Sequence, residues 1–388
     1  PGGRRAPRIA AAGVLLGIAL IVKQHAFTFV LLGALLAAWP EGSRGAKAAL
    51  GRAALLLAAA ALPLAALLAM LGGQGVLGAF WFWTIGYARE YVSEVPWNRF
   101  LPNLGLGIGT VTRVAWPLWL IAAAGLAASW TGRAAARDRV FLTGLLAASF
   151  VAVCPGAYFR AHYFILMLPA LALLVGVAFD RAERALARRI PGTLAAAVAV
   201  SGFGLVALGM VATEADLLFT LNPRQVVRAR YGNNPFVESV EIGRYIKERT
   251  TPADLIAVLG SEPEICFYAD RRSATGYIYT YPLMEPQRYA ARMQGEMIRE
   301  IEAARPRYVV FVESALSWLA QPASSLRILE WANRYTSRCY DLVGIADPVT
   351  PDETRYAWDA EAASYRPRTR DAVYVFRRRP GAPCDSVP

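Results

Sequence analysis

The 388 residues are 56% hydrophobic and only 18% charged, too apolar for an ordinary soluble protein and long enough for two domains. The net charge of +12 changes meaning once it is localised: residues 1–211 hold 18 Lys/Arg against 6 Asp/Glu, whereas residues 212–388 hold 23 of each. The whole excess lies in the apolar half, which points to membrane topology and away from nucleic acid.

The chain starts at Pro1 with no signal peptide ahead of its first apolar run, so a fragment lacking its true N-terminus is expected. Arg4, Arg5 and Arg8 precede the run Ile9–Val22. Lys23, Gln24 and His25 interrupt it, and a second run follows from Ala26 to Trp39. Each run has 14 residues, short of the roughly 20 that a helical span needs. The pair is either one over-long helix or two short helices meeting at a polar point. Arg44, Lys47 and Arg52 beyond the second run favour two helices, with both ends cytoplasmic and Lys23 on the far side.

Ala53–Leu71 predicts the next span, kinked at Pro63 and ended by Gly72, Gly73 and Gly75. An aromatic loop of roughly 40 residues follows. Its stretch FWFWTIGYAREYVSEVPW predicts an amphipathic interfacial helix and then irregular chain. The run Gly105–Thr110 (GLGIGT) has the wrong spacing and no preceding strand for a dinucleotide fingerprint. Further spans are expected over Val114–Trp130, Val140–Val153, His162–Phe179 and Thr193–Val211. The fold class is thus a polytopic α-helical membrane domain of about seven apolar helices, two of them short. Under this topology 13 Lys/Arg fall on one side and five on the other: Lys23, Arg89, Arg99, Arg113 and Arg160. The richer side is cytoplasmic by the positive-inside rule.

Residues 212–235 are expected to link this domain (1–211) to a soluble, extracytoplasmic α/β domain (236–388). Helical patterns over Phe236–Thr250, Glu262–Ala269, Pro286–Ala304 and Ser324–Tyr335 alternate with strand patterns at Asp254–Leu259, Arg307–Val312, Tyr340–Ile345 and Ala372–Phe376. That alternation predicts a small, mostly parallel sheet. The turn Gly260–Glu264 is placed where nucleotide-binding folds hold phosphate, but Glu262 and Glu264 would repel an anion, so a structural or polar-recognition turn is expected. The four cysteines form no metal pattern. In an oxidising compartment Cys339 with Cys384 is the preferred pair.

Chemistry collects at the external rim of the membrane half. Ala157–Gly176 carries Arg160, His162 and Tyr163 at the mouth of an apolar helix, where polar groups need water, an anion or a partner. Lys23 stands at a helix junction and Arg89 on the aromatic helix. Arg, Lys and Tyr together suit a lipid phosphate. The plainer alternatives are a turn lysine, a solvated arginine and an interfacial histidine.

The runs GVLLGIALIVKQHAFTFVLLGALLAAW and YFRAHYFILMLPALALLVG resemble repeated features of GT-C glycosyltransferases, above all the protein O-mannosyltransferase-like family and the lipid A aminoarabinose transferases. The resemblance covers residues 8 to about 180. It implies donor-phosphate contacts for Lys23, Tyr163 and Arg89, to which the local reading adds Arg160, while His25, Tyr87 and His162 shape the site. It implies a polyprenyl-phosphate sugar donor, an extracytoplasmic acceptor (protein, lipid or glycan), membrane lipid as the surrounding, and the bacterial inner membrane as the location. No cofactor is certain, and a divalent metal stays open. The family's general base lies in a first external loop, so it is expected upstream of Pro1; Glu90 and Glu94 are not given that role. Four polar ends should converge on one cavity walled by Trp81, Trp83 and Tyr87. The rivals are a flippase of lipid-linked sugars and a non-catalytic membrane anchor for a binding domain.

Overall fold

The computed structural model describes residues 5–40, 45–131 and 135–381 and divides into two compact units, Pro1–Ala215 and Asp216–Pro388. Arg4, Arg44, Arg133 and Cys384, used in the topology count and the disulfide expectation, lie outside the described residues. Cys339 is disulfide-bonded, whereas Cys154 and Cys266 are free thiols.

In the first unit the polar interruption makes two helices. Helix α1 (Arg5–Val22) ends where Lys23 turns extended at φ -153° and ψ 124°, a 3-10 turn covers Gln24–Ala26, and α2 spans Phe27–Ala37. Helix α3 (Ala46–Gly73) continues through Pro63. Small residues decide how α1 meets α3. A Cβ on Gly17 would fall 2.2 Å from the Ala60 carbonyl oxygen, and one on Gly13 2.5 Å from that of Leu56. Backbones can approach this closely only at glycine, the packing that apolar helices use where water gives no hydrophobic drive between them.

The aromatic stretch is one continuous helical rod: α4 (Leu77–Trp81), a π-helical turn (Phe82–Tyr87) and α5 (Ala88–Ser93). After a 3-10 turn at Trp97–Arg99, α6 runs from Phe100 to Thr131. The long irregular loop is therefore absent, and GLGIGT lies inside α6. Three glycines lower helix propensity in water, but buried or lipid-facing backbone has to satisfy its own hydrogen bonds, and a helix does so. Helix α7 (Ala136–Val153) carries Arg137, Asp138 and Arg139 in its first turn; a 3-10 run (Ala161–Met167) leads into α8 (Leu168–Leu186), and α9 covers Gly192–Thr213. Among the described residues five helical stretches are long and apolar enough to cross a membrane: α1, α3, Trp97–Thr131, Ala161–Leu186 and α9. A core of Val153, Phe159, Phe164, Met167 and Leu174 gathers the later helices.

The second unit opens with a π turn at Asp216–Thr220 and α10 (Pro223–Tyr231), inside the stretch read as a linker. A capping box starts α10: the Asn222 side chain accepts from the Gln225 amide and the Gln225 side chain accepts from the Asn222 amide. Then follow α11 (Phe236–Glu248), β1 (Leu255–Leu259), α12 (Glu264–Ala269), β2 (Arg272–Ser273), α13 (Tyr281–Met284), α14 (Ala290–Ala304), β3 (Tyr308–Val312), α15 (Ala315–Trp318), α16 (Arg327–Cys339), β4 (Tyr340–Pro348), β5 (Thr354–Trp358), α17 (Ala360–Ser364) and β6 (Val373–Arg378). The sheet order is β2-β1-β3-β6-β4-β5. Only the β1–β2 and β1–β3 pairings are parallel, while β3–β6, β6–β4 and β4–β5 are antiparallel. The expectation of a mostly parallel sheet is corrected to a mixed one. Strands β4 and β5 are joined by too few residues for a crossover, so they pair as a hairpin. Ile242, Ile246 and Ile265 of α11 and α12 cover β1 and β3 with Ile256 and Val310. The chain thus combines a helical part suited to a bilayer with a separate sheet domain.

Candidate functional site

The break at Lys23 aims its ammonium at one aromatic ring. Lys23 Nζ lies 4.6 Å from the centroid of Tyr163, within cation–π range. Tyr163 sits in the 3-10 run before α8. The His25 ring lies 6.1 Å from it, and His162 meets it edge-on at 4.7 Å. The Tyr163 hydroxyl is 3.5 Å from that of Tyr91 on α5. Three separate elements therefore converge here: the α1–α2 junction, the aromatic rod and the mouth of α8.

Arg160 joins less directly. Its guanidinium lies 5.0 Å over the Tyr158 ring, and Tyr158 stacks on Tyr91 at 4.9 Å and 19°. The Tyr158 hydroxyl donates to Glu94. Three phenols, Tyr163, Tyr91 and Tyr158, connect Lys23 at one end to Arg160 at the other. The segment carrying Tyr158 is held in an unusual backbone: Gly156, Ala157 and Phe159 have φ of 77°, 53° and 46°. Phe159, 2% exposed, anchors it against Phe100 at 5.0 Å, and Asn103 Nδ2 donates to the Ala157 carbonyl at 3.0 Å.

Two cavities flank the Gln24–Phe27 turn, and Gln24, His25 and Phe27 line both. The larger, about 690 Å³, adds Lys23 to apolar walls that include Leu64, Leu68, Phe80 and Trp81. The smaller, about 360 Å³, adds Thr28, Tyr91, Val92, Pro155 and Tyr163. Gln24 Nε2 donates to the Thr84 carbonyl at 3.0 Å, which ties the turn to the aromatic rod. His25 Nδ1 is buried with no hydrogen-bond partner.

No protein-family model, curated protein or solved structure matches the chain.

Lys23, His25, His162 and Tyr163 are brought together, and Arg160 is linked through two phenol rings. Arg89 is not brought in. It is exposed, and Ala88, Tyr91 and Val92 form the face of α5 that lines the smaller cavity, leaving Arg89 turned aside. Of the expected aromatic walls, Trp81 lines the larger cavity, but Trp83 and Tyr87 line neither. Tyr87 makes a tilted contact with Tyr91 at 6.5 Å. Tyr91, Tyr158 and Gln24 were not singled out from the sequence. The spacing of Tyr87 and Tyr91 by four was the available sign. Another cavity of about 960 Å³ lies between α6, α8 and α9, with His162 at its rim and otherwise mostly apolar lining. Among the described residues no three His, Cys, Asp or Glu side chains gather where they could hold a metal ion.

In the sheet domain the Gly260–Glu264 turn is filled by the protein's own carboxyl group. Glu262 is 1% exposed, and Ser317 Oγ donates to its Oε2 at 2.7 Å while accepting from the Ser261 amide at 2.9 Å. Burial, aided by the neighbouring Glu264, pushes the Glu262 carboxyl up to about 7 against the Ser317 hydrogen bond, which lowers it. A phosphate has no place in that turn.

Proposed function

We propose that the chain is a GT-C-type membrane glycosyltransferase that moves a sugar from a polyprenyl-phosphate donor to an extracytoplasmic acceptor. The observation that carries this reading is that Lys23, which lines an apolar cavity of about 690 Å³, stands 4.6 Å from the ring centroid of Tyr163, a residue 140 positions further along the chain that lines the adjoining cavity of about 360 Å³. A lipid phosphate needs a cation and a hydroxyl beside an apolar wall, and Lys23 at the apolar cavity with Tyr163 as its neighbour supports that reading. Lys23 supplies a point charge and Tyr163 a hydroxyl; the walls around Leu64, Leu68 and Phe80 suit a hydrocarbon chain.

In this mechanism the acceptor oxygen attacks the anomeric carbon and the bond from that carbon to the phosphate oxygen breaks, inverting the centre. The acceptor proton passes to a carboxylate that we assign to no residue of this chain. Negative charge grows on the departing phosphate, where Lys23 stabilises it electrostatically. Arg160 extends the positive field through Tyr158 and Tyr91, and His25 and His162 hold the Tyr163 ring in place. Arg89 binds no phosphate in this version of the site. The charge asymmetry of the loops supports an inner-membrane protein with its sheet domain outside the cytoplasm.

The test is binding of sugar-free polyprenyl phosphate to the full chain in nanodiscs. Lys23→Ala and Tyr163→Phe should each weaken it, the lysine change by about tenfold or more, as expected for removing a charged hydrogen-bond donor. Unchanged affinity in a folded Lys23→Ala chain would sink the reading.

A further inference from the structure

Two compartments of different chemistry adjoin at the Gln24–Phe27 turn. The larger is mostly apolar and contains Lys23. Among the described residues that line the smaller there is no Asp, Glu, Lys or Arg. Its polar groups are neutral: the hydroxyls of Thr28, Tyr91 and Tyr163, the Gln24 amide and the His25 ring. Phe27, Val92 and Pro155 supply apolar surface beside them. Hydroxyl partners on some walls and flat apolar patches on others match the two characters of a sugar ring, whose edges hydrogen-bond and whose C–H faces do not. The volume of about 360 Å³ is at the small end of ligand sites, which run from about 300 to 1,000 Å³.

We propose that the smaller compartment is the sugar subsite of the donor site and that it takes a single uncharged sugar ring. The proposal rests on the donor-phosphate reading and narrows it. An amino sugar would bring an ammonium into a compartment that offers no carboxylate, and burying an unpaired charge is costly. The phenol rings do not replace a carboxylate. Lys23 already stands over the Tyr163 ring, and Tyr158 covers one face of Tyr91. A uronic acid would need a cation, and the nearby Lys23 is committed to the phosphate. A neutral hexose or pentose needs neither. His25 Nδ1, buried and without a partner, is the group that such a hydroxyl satisfies.

The experiment compares three probes of one polyprenyl length on the full chain in nanodiscs: the bare phosphate, the phosphate bearing a neutral hexose and the phosphate bearing an amino sugar. The neutral hexose should bind about tenfold more tightly than the bare phosphate, the worth of one or two net hydrogen bonds. The amino sugar should bind no better than the bare phosphate. Ala88→Phe, which fills the compartment, should abolish the advantage of the hexose; Thr28→Val, close to isosteric, should reduce it in a chain with unaltered thermal unfolding. An amino sugar that binds more tightly than the hexose overturns the inference, as does a hexose advantage that survives Ala88→Phe. A hexose no better than bare phosphate, with bare-phosphate binding still dependent on Lys23, overturns the subsite and leaves the phosphate site standing. Bare-phosphate binding indifferent to Lys23→Ala removes both.

Discussion

Glu262 makes the sheet domain less stable at neutral pH than in mild acid, and the size of the effect follows from its surroundings. Its carboxyl titrates at about 7 when folded against an ordinary value of 4.5, chiefly because burial disfavours the charged form. Below pH 4.5 the group is protonated in both states and contributes nothing. As pH rises from 4.5 to 7 the unfolded chain releases the proton while the folded chain keeps it, so stability falls. Above 7 both states are ionised and the loss levels off. At about 1.4 kcal/mol per pH unit the full loss is about 3 kcal/mol.

Glu262→Gln keeps a carbonyl for the Ser317 hydroxyl and removes the ionisation. Hydrogen exchange of the β1 and β3 amides in the full chain, corrected for intrinsic rates, reads the outcome. Between pH 5 and pH 7.5 the unsubstituted chain should lose roughly fiftyfold of protection relative to Glu262→Gln, the counterpart of about 2 kcal/mol and most of the full loss. Glu264→Gln should shrink that loss, because the Glu264 charge adds to the upward shift of Glu262. Identical pH slopes for Glu262→Gln and the unsubstituted chain would refute the reasoning.

Gly17→Leu should drive α1 away from α3, since even a Cβ at that position meets the Ala60 carbonyl oxygen at 2.2 Å; a loss of at least 1–3 kcal/mol, roughly the cost of overpacking, should appear as a lower unfolding temperature in detergent. Gly51→Leu, with open space around its Cβ and a better helix former in place of glycine, should not lower that temperature. Ser337→Cys, exposed on α16, should react with a membrane-impermeant maleimide in intact cells above the background of the unsubstituted chain; protection of a folded protein there would reverse the proposed orientation.

Elements whose signal is local were legible in the sequence. Three polar residues inside an apolar run mark the Lys23 break because lipid-facing helix has no reason to contain them. DLIAVL and RYVVFV read as strands because a short apolar run after a helix has few other uses. Signals that depend on a partner were not legible. Thr354–Trp358 becomes a strand only because β4 lies beside it, and the two residues of β2 form no pattern at all. The mixed sheet follows from β6 inserting between β3 and β4, a choice of neighbour that alternation does not encode. The Asn222–Gln225 capping box was present as a sequence signature, but lay within a stretch taken for a linker. At the site, Lys23 and Tyr163 stand out as isolated polar groups, whereas Tyr91 and Tyr158 are placed by backbone geometry. Arg89 stands outside the residues of α5 that line the smaller cavity, a placement that the aromatic pattern of the stretch does not encode.

That geometry is the strongest reason to treat the cluster as more than an anchor. Three departures from regular helix lie on three different elements: the extended Lys23 between α1 and α2, the π turn over Phe82–Tyr87, and the left-handed Ala157 and Phe159. π turns inside helices are rare and concentrate at functional sites. Non-glycine residues in the left-handed region cost about 1–3 kcal/mol each and persist only where their surroundings over-determine them. Here they are over-determined: Thr84, within the π turn, lends its carbonyl to Gln24, and Phe159 is buried so that Tyr158 can stack on Tyr91. All three departures act on the same few side chains. The first points Lys23 at Tyr163, the second sets the register that brings Tyr91 to the Tyr163 hydroxyl, and the third lays Tyr158 beneath Arg160. An interfacial anchor needs tyrosines and arginines at the right depth, which regular helix ends supply without strain. Convergence obtained against the backbone's own preference favours the proposed binding site over an anchor.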